Sequence, residues 1–214
     1  IIMFEHLQKL KDNGFNPSKI LDIGAWNGIW TRSTKEIWPD AHYTCIEAGK
    51  KHEGRLKKCA DESFIAVLGN ENKEVNIYLR EIEKHDKKKI TYTKGSNIFG
   101  KILNFPSDAQ DPRQMQTLDE LVGKDAQYDL IKQDVQGAEL LVMQGSPEIF
   151  KRAKYVIQEV NLYKDEDFLE IPDEKEMDSY MKTLGFTNSI VIDKHNIETV
   201  LGSINQVDKL YWKD

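Results

Sequence analysis

Residues 20–31, ILDIGAWNGIWT, decide how this chain is read. Ile20, Leu21 and Ile23 form a short apolar run of the kind that fills a parallel strand covered on both faces. Asp22 sits inside that run. Gly24 and Gly28 bracket a tight loop, and Thr31 and Arg32 fall in the first turn of a helix. Gly24 lets the backbone approach a ligand or take a conformation closed to other residues. The helix start beyond it offers free N–H groups and a positive dipole end to an anionic group. An acid, two glycines and a helix after a buried strand make a nucleotide or nucleoside site more often than a plain turn.

Working outward, residues 4–11 carry Phe4, Leu7 and Leu10 at helix spacing, stopped by Asn13-Gly14. After the glycine loop, 30–38 is the first crossover helix, ended before Pro39. Strand 43–46 closes on Glu47, a charged helix spans 50–59, and a third strand, 64–68, leads to Gly69-Asn70. Strand and helix alternate, which predicts a parallel sheet with right-handed crossovers. The pattern then breaks. Residues 75–80 alternate as a half-exposed strand, 87–89 make a basic hairpin tip flanked by Glu83 and Asp86, and 90–93 can pair back. Residues 95–116 read as a long irregular connection, of the sort that is usually functional. A short helix at 117–122 has Thr117 as N-cap and Glu120 as its capping-box partner. Alternation returns with a buried strand at 128–133 ending at Asp134, a helix at 138–144 and a strand at 155–160 bearing Glu159, with Asn161 just past it. A helix at 173–184 is stopped by Gly185. Two closing strands, 187–193 and 207–213, are expected to pair antiparallel.

A chain of 214 residues is most economically one domain with a real core. The net charge of −6 argues against a general nucleic-acid sleeve, which needs a strong positive field. No run spans a bilayer, and the N-terminal segment reads as amphipathic and charged, not as a signal peptide. Cys45 and Cys59 make neither a metal spacing nor a disulfide framework. Together these features favour a reducing, cytoplasmic setting. Self-association is left open.

In an open α/β sheet, ligands bind outside the carboxyl ends of the strands. The glycine loop, Glu47, Gly69-Asn70 and Asp134 all fall there. Glu47 lies where a dinucleotide fold places an acid on ribose hydroxyls; the plainer reading is a helix-capping acid. The glycines spell D-x-G-x-x-x-G, without the G-x-G-x-x-G phosphate fingerprint of a dehydrogenase.

Three stretches, NPSKILDIGAWNGIWT, GSNIF with the later QTLDEL, and above all LIKQDVQGAELLVMQG, resemble the FkbM-type family of class I S-adenosylmethionine-dependent methyltransferases. The family often has Asn where Trp26 stands, Glu where Gln136 stands and an apolar residue where Gln133 stands. The resemblance implies a Rossmann-like class I methyltransferase fold over a single domain, 1–214. Its seven-stranded sheet is mostly parallel, with an antiparallel final strand, helices on both faces and an inserted hairpin or loop after strand three. It implies that Asp22, Gly24, Ala25, Trp26 and Gly28 surround the methionine part of S-adenosylmethionine. Glu47 and Ala48 would hold the ribose, Leu68, Gly69 and Asn70 would flank the adenine, and Asp134 would border the donor. The implied reaction is O-methylation of a hydroxyl on a sugar, glycoconjugate or small metabolite.

A hydroxyl acceptor must lose its proton. An ordinary aspartate has a pKa of about 4 and an alcohol one of about 16, so a bare Asp134 is a weak base. Either Asp134 only orients the hydroxyl, or a divalent metal such as magnesium binds it and lowers its pKa. Asp134 and Glu159 are the catalytic candidates, and Asp134, Glu159 and Asn161 the metal candidates, as oxygen ligands at adjacent strand ends. Glu139 either faces the cofactor or caps its helix. Surface placement is the default for His6, His42, His52, His85 and His195, although His85 sits before the long loop and could be brought to the acceptor. Residues 85–116 form the expected acceptor-side insertion, where Ser96 and Asn97 hydrogen-bond and Phe99 and Phe105 stack on a small-molecule or carbohydrate acceptor. The competing readings are a nucleic-acid or protein methyltransferase, against which no N/D-P-P-Y motif follows strand four, and an inactive cofactor-binding or assembly module.

Overall fold

A computed structural model of the chain describes residues 2–83, 89–97, 110–163, 171–199 and 202–214. It opens with α1 (Ile2–Asp12), β1 (Lys19–Ile23), α2 (Ile29–Ile37), β2 (His42–Glu47), α3 (Glu53–Cys59) and β3 (Glu62–Ile65). Then come β4 (Val67–Leu68), β5 (Lys73–Glu83), β6 (Lys89–Asn97), β7 (Gln110–Gln116) and α4 (Leu118–Val122). The chain closes with β8 (Leu130–Gln133), α5 (Glu139–Gly145), α6 (Pro147–Arg152), β9 (Tyr155–Asn161), α7 (Glu174–Thr183), β10 (Asn188–Thr199) and β11 (Gly202–Trp212).

The apolar runs assemble into a seven-stranded sheet in the order β10-β11-β9-β8-β1-β2-β3. β1 pairs parallel with β2 and β8, β2 with β3, and β8 with β9. The last strand, β11, inserts antiparallel between β9 and β10. This is a Rossmann-like class I methyltransferase fold, as expected.

Side chains alternate across a strand, so each strand feeds two cores. Ile20, Leu130, Ile157 and Leu210 pack with Met3, Leu7, Trp30 and Ile37, under α1 and α2. Leu21, Ile23, Ile131, Val156, Val207 and Tyr211 face the other way, against Val142, Met143, Phe150, Met177 and Met181 of α5, α6 and α7. Period two then dictates the site. On the face of Ile20, Leu130, Ile157 and Leu210, the next positions toward the crevice are Asp22, Lys132, Glu159 and Asp208. An apolar row gives way to a charged one at the carboxyl end.

The connection expected to be irregular is largely strand at its two ends. β6 runs through Asn97 and β7 spans Gln110–Gln116, in a second sheet ordered β4-β7-β5-β6. His85, Phe99 and Phe105 lie outside the described residues. Three local expectations change. Helix 50–59 begins as a 3-10 turn, Lys50–His52, before α3. Thr117 makes no capping box with Glu120: its hydroxyl donates to Asp119 at 2.6 Å, and Glu120 accepts from Asn72 at 2.9 Å. Between helix 138–144 and strand 155–160 a further helix, α6, opens with Pro147 in its first turn. Among the described residues no helix is long and apolar enough to cross a membrane.

Candidate functional site

β1 lies between β2 and β8, so the strand order turns there and a crevice opens past the carboxyl ends. The loops after β1 and β8 touch backbone to backbone. Asp134 N–H donates to the Ile23 carbonyl at 2.9 Å, and Gly24 and Ala25 donate to the Ile46 carbonyl at 2.8 and 3.1 Å. Gly24 has a φ of +77°, and a Cβ there would stand 1.7 Å from the Asp134 carbonyl oxygen. Glycine is therefore required by its neighbour in the fold, before any ligand is considered. Gly28, with φ +75° at the start of α2, lies against Cys59 and Leu56 in the same way.

Glu47 reaches back to the glycine loop. Its carboxylate accepts the Trp26 N–H at 2.8 Å and the Gly49 N–H at 2.7 Å, which ties the loops after β1 and β2 together. Burial raises its pKa against those two bonds. Each oxygen keeps a further lone pair. Trp26 is one-third exposed, at 36%, beside His52, with ring centroids 6.1 Å apart. The Ala48 carbonyl accepts from Arg113 of the second sheet at 2.9 Å.

The other residues expected at the cofactor take the following places. Asp22 is wholly buried beneath the loop. One oxygen accepts the Thr31 hydroxyl at 2.6 Å, and the other has no hydrogen-bond partner among the described residues and faces Lys132 Nζ at 4.0 Å. Burial pushes its carboxyl up, with Lys132 opposing. Leu68 is a core residue, a Cβ on Gly69 would strike Met115 Sδ at 2.2 Å, and one on Gly145 would strike the Gly69 carbonyl at 2.3 Å. The structure therefore places 68–70 between the second sheet and the end of α5, with Asn70 exposed.

Across the crevice stands a charged cluster. Lys132 is paired in register with Asp22, and its ammonium donates to Asp134 Oδ2 at 3.1 Å. Burial alone would strip its charge, but Asp134, Asp22 and Asp208 hold it above the usual lysine range. Gln136 Nε2 donates to Asp134 Oδ1 at 2.7 Å and to Glu159 Oε2 at 3.0 Å. Burial presses the Asp134 carboxyl upward, yet Lys132 and Gln136 keep it below the ordinary carboxylate range. Glu159 is driven well above that range by burial and by the charges of Asp134, Glu139 and Asp208. Two neighbouring acids are thus pushed in opposite directions by their surroundings.

Glu139 folds back from the first position of α5 onto the turn that precedes it. Its two oxygens accept from Val135 N–H at 2.8 Å and Gly137 N–H at 2.9 Å, and burial pushes its pKa up to about 7. Gln133 braces this turn by donating to the Glu139 carbonyl at 3.0 Å, and receives from Gln158 at 3.2 Å. Its amide, where an apolar residue would be ordinary, is half of a buried polar pair.

The metal triad does not assemble as expected. Asn161 Oδ1 accepts from Gln206 at 3.1 Å. Asp134, Glu139 and Glu159 have carboxylate oxygens within 4.8 Å of one another, but Glu139 is engaged by backbone amides, and Lys132 and Gln136 fill Asp134. The oxygen donors present do not fit a divalent cation. Ser96 and Asn97 fall at the end of β6.

Sequence reading passed over Lys132, the bridging role of Gln136, and His195. His195 lies at the edge of the same sheet face, its Nε2 2.6 Å from Asp208 Oδ2. The bond to Asp208 holds the imidazole above its usual range, against partial burial. A signal for Lys132 existed: a lysine inside an apolar strand next to a strand that carries a buried aspartate needs that partner.

A family model described as the methyltransferase FkbM domain matches residues 22–187. No protein of curated function matches the chain. Among solved structures, it is similar to a provisionally assigned O-methyltransferase from Klebsiella pneumoniae, at 12% identity and TM-score 0.50, covering 100% of this chain and 79% of the other. It is also similar to a provisionally assigned caffeoyl-CoA O-methyltransferase from Staphylococcus aureus, at 14% identity and TM-score 0.50, covering 98% and 82%. At these identities the likeness is one of fold.

Proposed function

This chain belongs to the FkbM methyltransferase domain family, and from that premise we propose that it transfers a methyl group from S-adenosylmethionine to a hydroxyl of a sugar, glycoconjugate or small metabolite. The observation that carries the reading is the crevice at the strand-order turn, ringed by Glu47, Asp134 and Glu159, with no phosphate fingerprint. An acid-rich nucleoside site suits a cationic sulfonium and disfavours a pyrophosphate.

In this reading, residues 24–28 surround the methionine part and Glu47 accepts from the ribose hydroxyls. The acceptor lies on the side of Asp134 and Glu159. The bound donor supplies an electrophilic methyl carbon. The chain supplies alignment, which for a displacement between two held partners is worth effective molarities of about 10⁵ M or more. Asp134, held below the ordinary carboxylate range, orients the acceptor hydroxyl; the oxygen–methyl bond forms as the sulfur–methyl bond breaks to leave S-adenosylhomocysteine, and the hydroxyl proton then passes to solvent. Glu159, joined to Asp134 through the Gln136 amide, lines the same side of the crevice and helps position the acceptor. No step passes through a metal, because the oxygen donors are engaged by the chain itself. The buried free thiols of Cys45 and Cys59 suit a reducing, cytoplasmic setting.

Calorimetry with S-adenosylmethionine, S-adenosylhomocysteine and NAD tests the donor. The first two bind and NAD does not; no heat from either nucleoside would overturn the reading. Mass spectrometry of a hydroxylated acceptor panel then seeks the added methyl group. A methyl found on protein or nucleic acid would replace the acceptor class while leaving the donor in place.

A further inference from the structure

Gln136 is set apart by its backbone and by its side chain. With Trp26 it is one of two non-glycine residues of positive φ among the described residues, at 57° and 47°. The two sit in the facing loops after β8 and β1, across the crevice. A left-handed non-glycine residue is strained and persists where its surroundings fix it. What fixes Gln136 is its amide. One nitrogen, with two hydrogens, donates to Asp134 at 2.7 Å and Glu159 at 3.0 Å. Lys132 occupies the other Asp134 oxygen at 3.1 Å.

Three carboxylates with oxygens within 4.8 Å of one another are the setting in which a hard divalent cation binds. Here each requirement such a cation would meet is met from within the chain. Positive charge comes from Lys132. The donor between Asp134 and Glu159 is the Gln136 amide. Glu139 faces the Val135 and Gly137 amides. A metal entering this cluster would have to displace Gln136 and lie against a buried ammonium.

We propose that Gln136, together with Lys132, stands in the place of a divalent cation, and that Gln136 is the residue that keeps metal out of this site. The exclusion is a property of the side-chain cluster. Its consequence, methyl transfer without a metal, rests on the reading in the preceding section. Gln136→Glu keeps the length and shape of the side chain but turns its two donors into acceptors. Asp134 and Glu159 then face a third carboxylate with nothing between them, and a divalent cation becomes able to satisfy all three.

The test uses Mn²⁺ as the probe, with full-length protein stripped by chelator and the free ion followed by electron paramagnetic resonance. Wild type leaves the signal of free Mn²⁺ intact. Q136E takes up one equivalent, about tenfold tighter than wild type or more, and adding D134N abolishes the uptake. Wild-type uptake of one equivalent that D134N removes would overturn the proposal, as would a folded Q136E that takes up none. Should Q136E not fold, Q136A removes the bridge without adding charge and is judged by the same gain or its absence. S-adenosylhomocysteine affinity of the wild type is measured alongside, in chelator and in Mg²⁺, and is expected to be equal. Failure to bind that nucleoside at all would sink the methyltransferase reading while leaving the Mn²⁺ result to decide this one.

Discussion

Gly24 has no room for a side chain. Its positive φ and the Asp134 carbonyl 1.7 Å from a built Cβ act together, so Gly24→Ala strains the backbone and forces apart the two loops that form the crevice. We expect a loss of about 2 kcal/mol or more in urea denaturation. A variant of unchanged stability would mean that the loops move apart freely. A larger Gly24→Val substitution therefore probes packing before it probes cofactor binding. Thr31 offers a milder test of the same region. Thr31→Val keeps the shape but removes the only hydrogen bond to the buried Asp22 carboxylate among the described residues, at a cost of roughly 1.5–3 kcal/mol. Denaturation midpoints of the two proteins check it, and equal midpoints would show that Asp22 is satisfied otherwise. At this scale the sequence was informative about which residues gather. Gly24, Glu47, Asp134 and Glu159 meet because each ends a strand. It was uninformative about Trp26 and Gln136, since neither residue type announces a positive φ.

Elements were legible where burial writes a pattern and illegible where pairing alone makes the strand. β1, β8 and β9 are short apolar runs between helices, and their parallel order follows. β7, QDPRQMQ, has no such pattern, and Met115 is its one fully buried side chain among those described. It is a strand because β5 pairs along it and β4 pairs with Met115 and Gln116. Pro112 is tolerated because β4 does not extend to it, which leaves β7 an edge there. Helix ends divide in the same way. The predicted capping box at Thr117 is replaced by a local bond from Thr117 to Asp119, which in turn is bonded to Ser146, a contact distant in sequence. At α7 the box is real: Asp173 accepts from Glu176 N–H at 2.9 Å, and Glu176 accepts from Asp173 N–H at 3.0 Å. Asp173→Ala is expected to cost about 1 kcal/mol, and to raise hydrogen exchange first in the opening turn of α7. Uniform protection across the helix would contradict a local cap.

For the whole molecule, the buried charges set the pH at which the fold is strongest. Glu139 has its pKa raised to about 7 from 4.5 by burial, and burial also raises Asp22 and Glu47. An acid raised on folding binds more protons folded than unfolded, so its ionisation opposes the fold. For Glu139, stability falls as pH climbs from about 4.5 to about 7 and then levels. His195 acts in the same direction. Its bond to Asp208 raises its pKa above 6.5, so its contribution is complete below that value and is lost as pH rises through the folded value. Asp134, Asp61 and Asp119 are held below the ordinary range, and they withdraw stability only as pH falls under about 4. The opposing slopes place the stability maximum on the acid side of neutral. Thermal melts are expected to give a midpoint a few degrees higher at about pH 5.5 than at about pH 8. Glu139→Gln combined with His195→Gln should shrink that difference, even though the double variant is less stable at both. A wild-type midpoint that climbs from the lower to the higher pH would show that these buried acids are solvated, and with it that the crevice lacks the low-dielectric character on which its preference for a sulfonium depends.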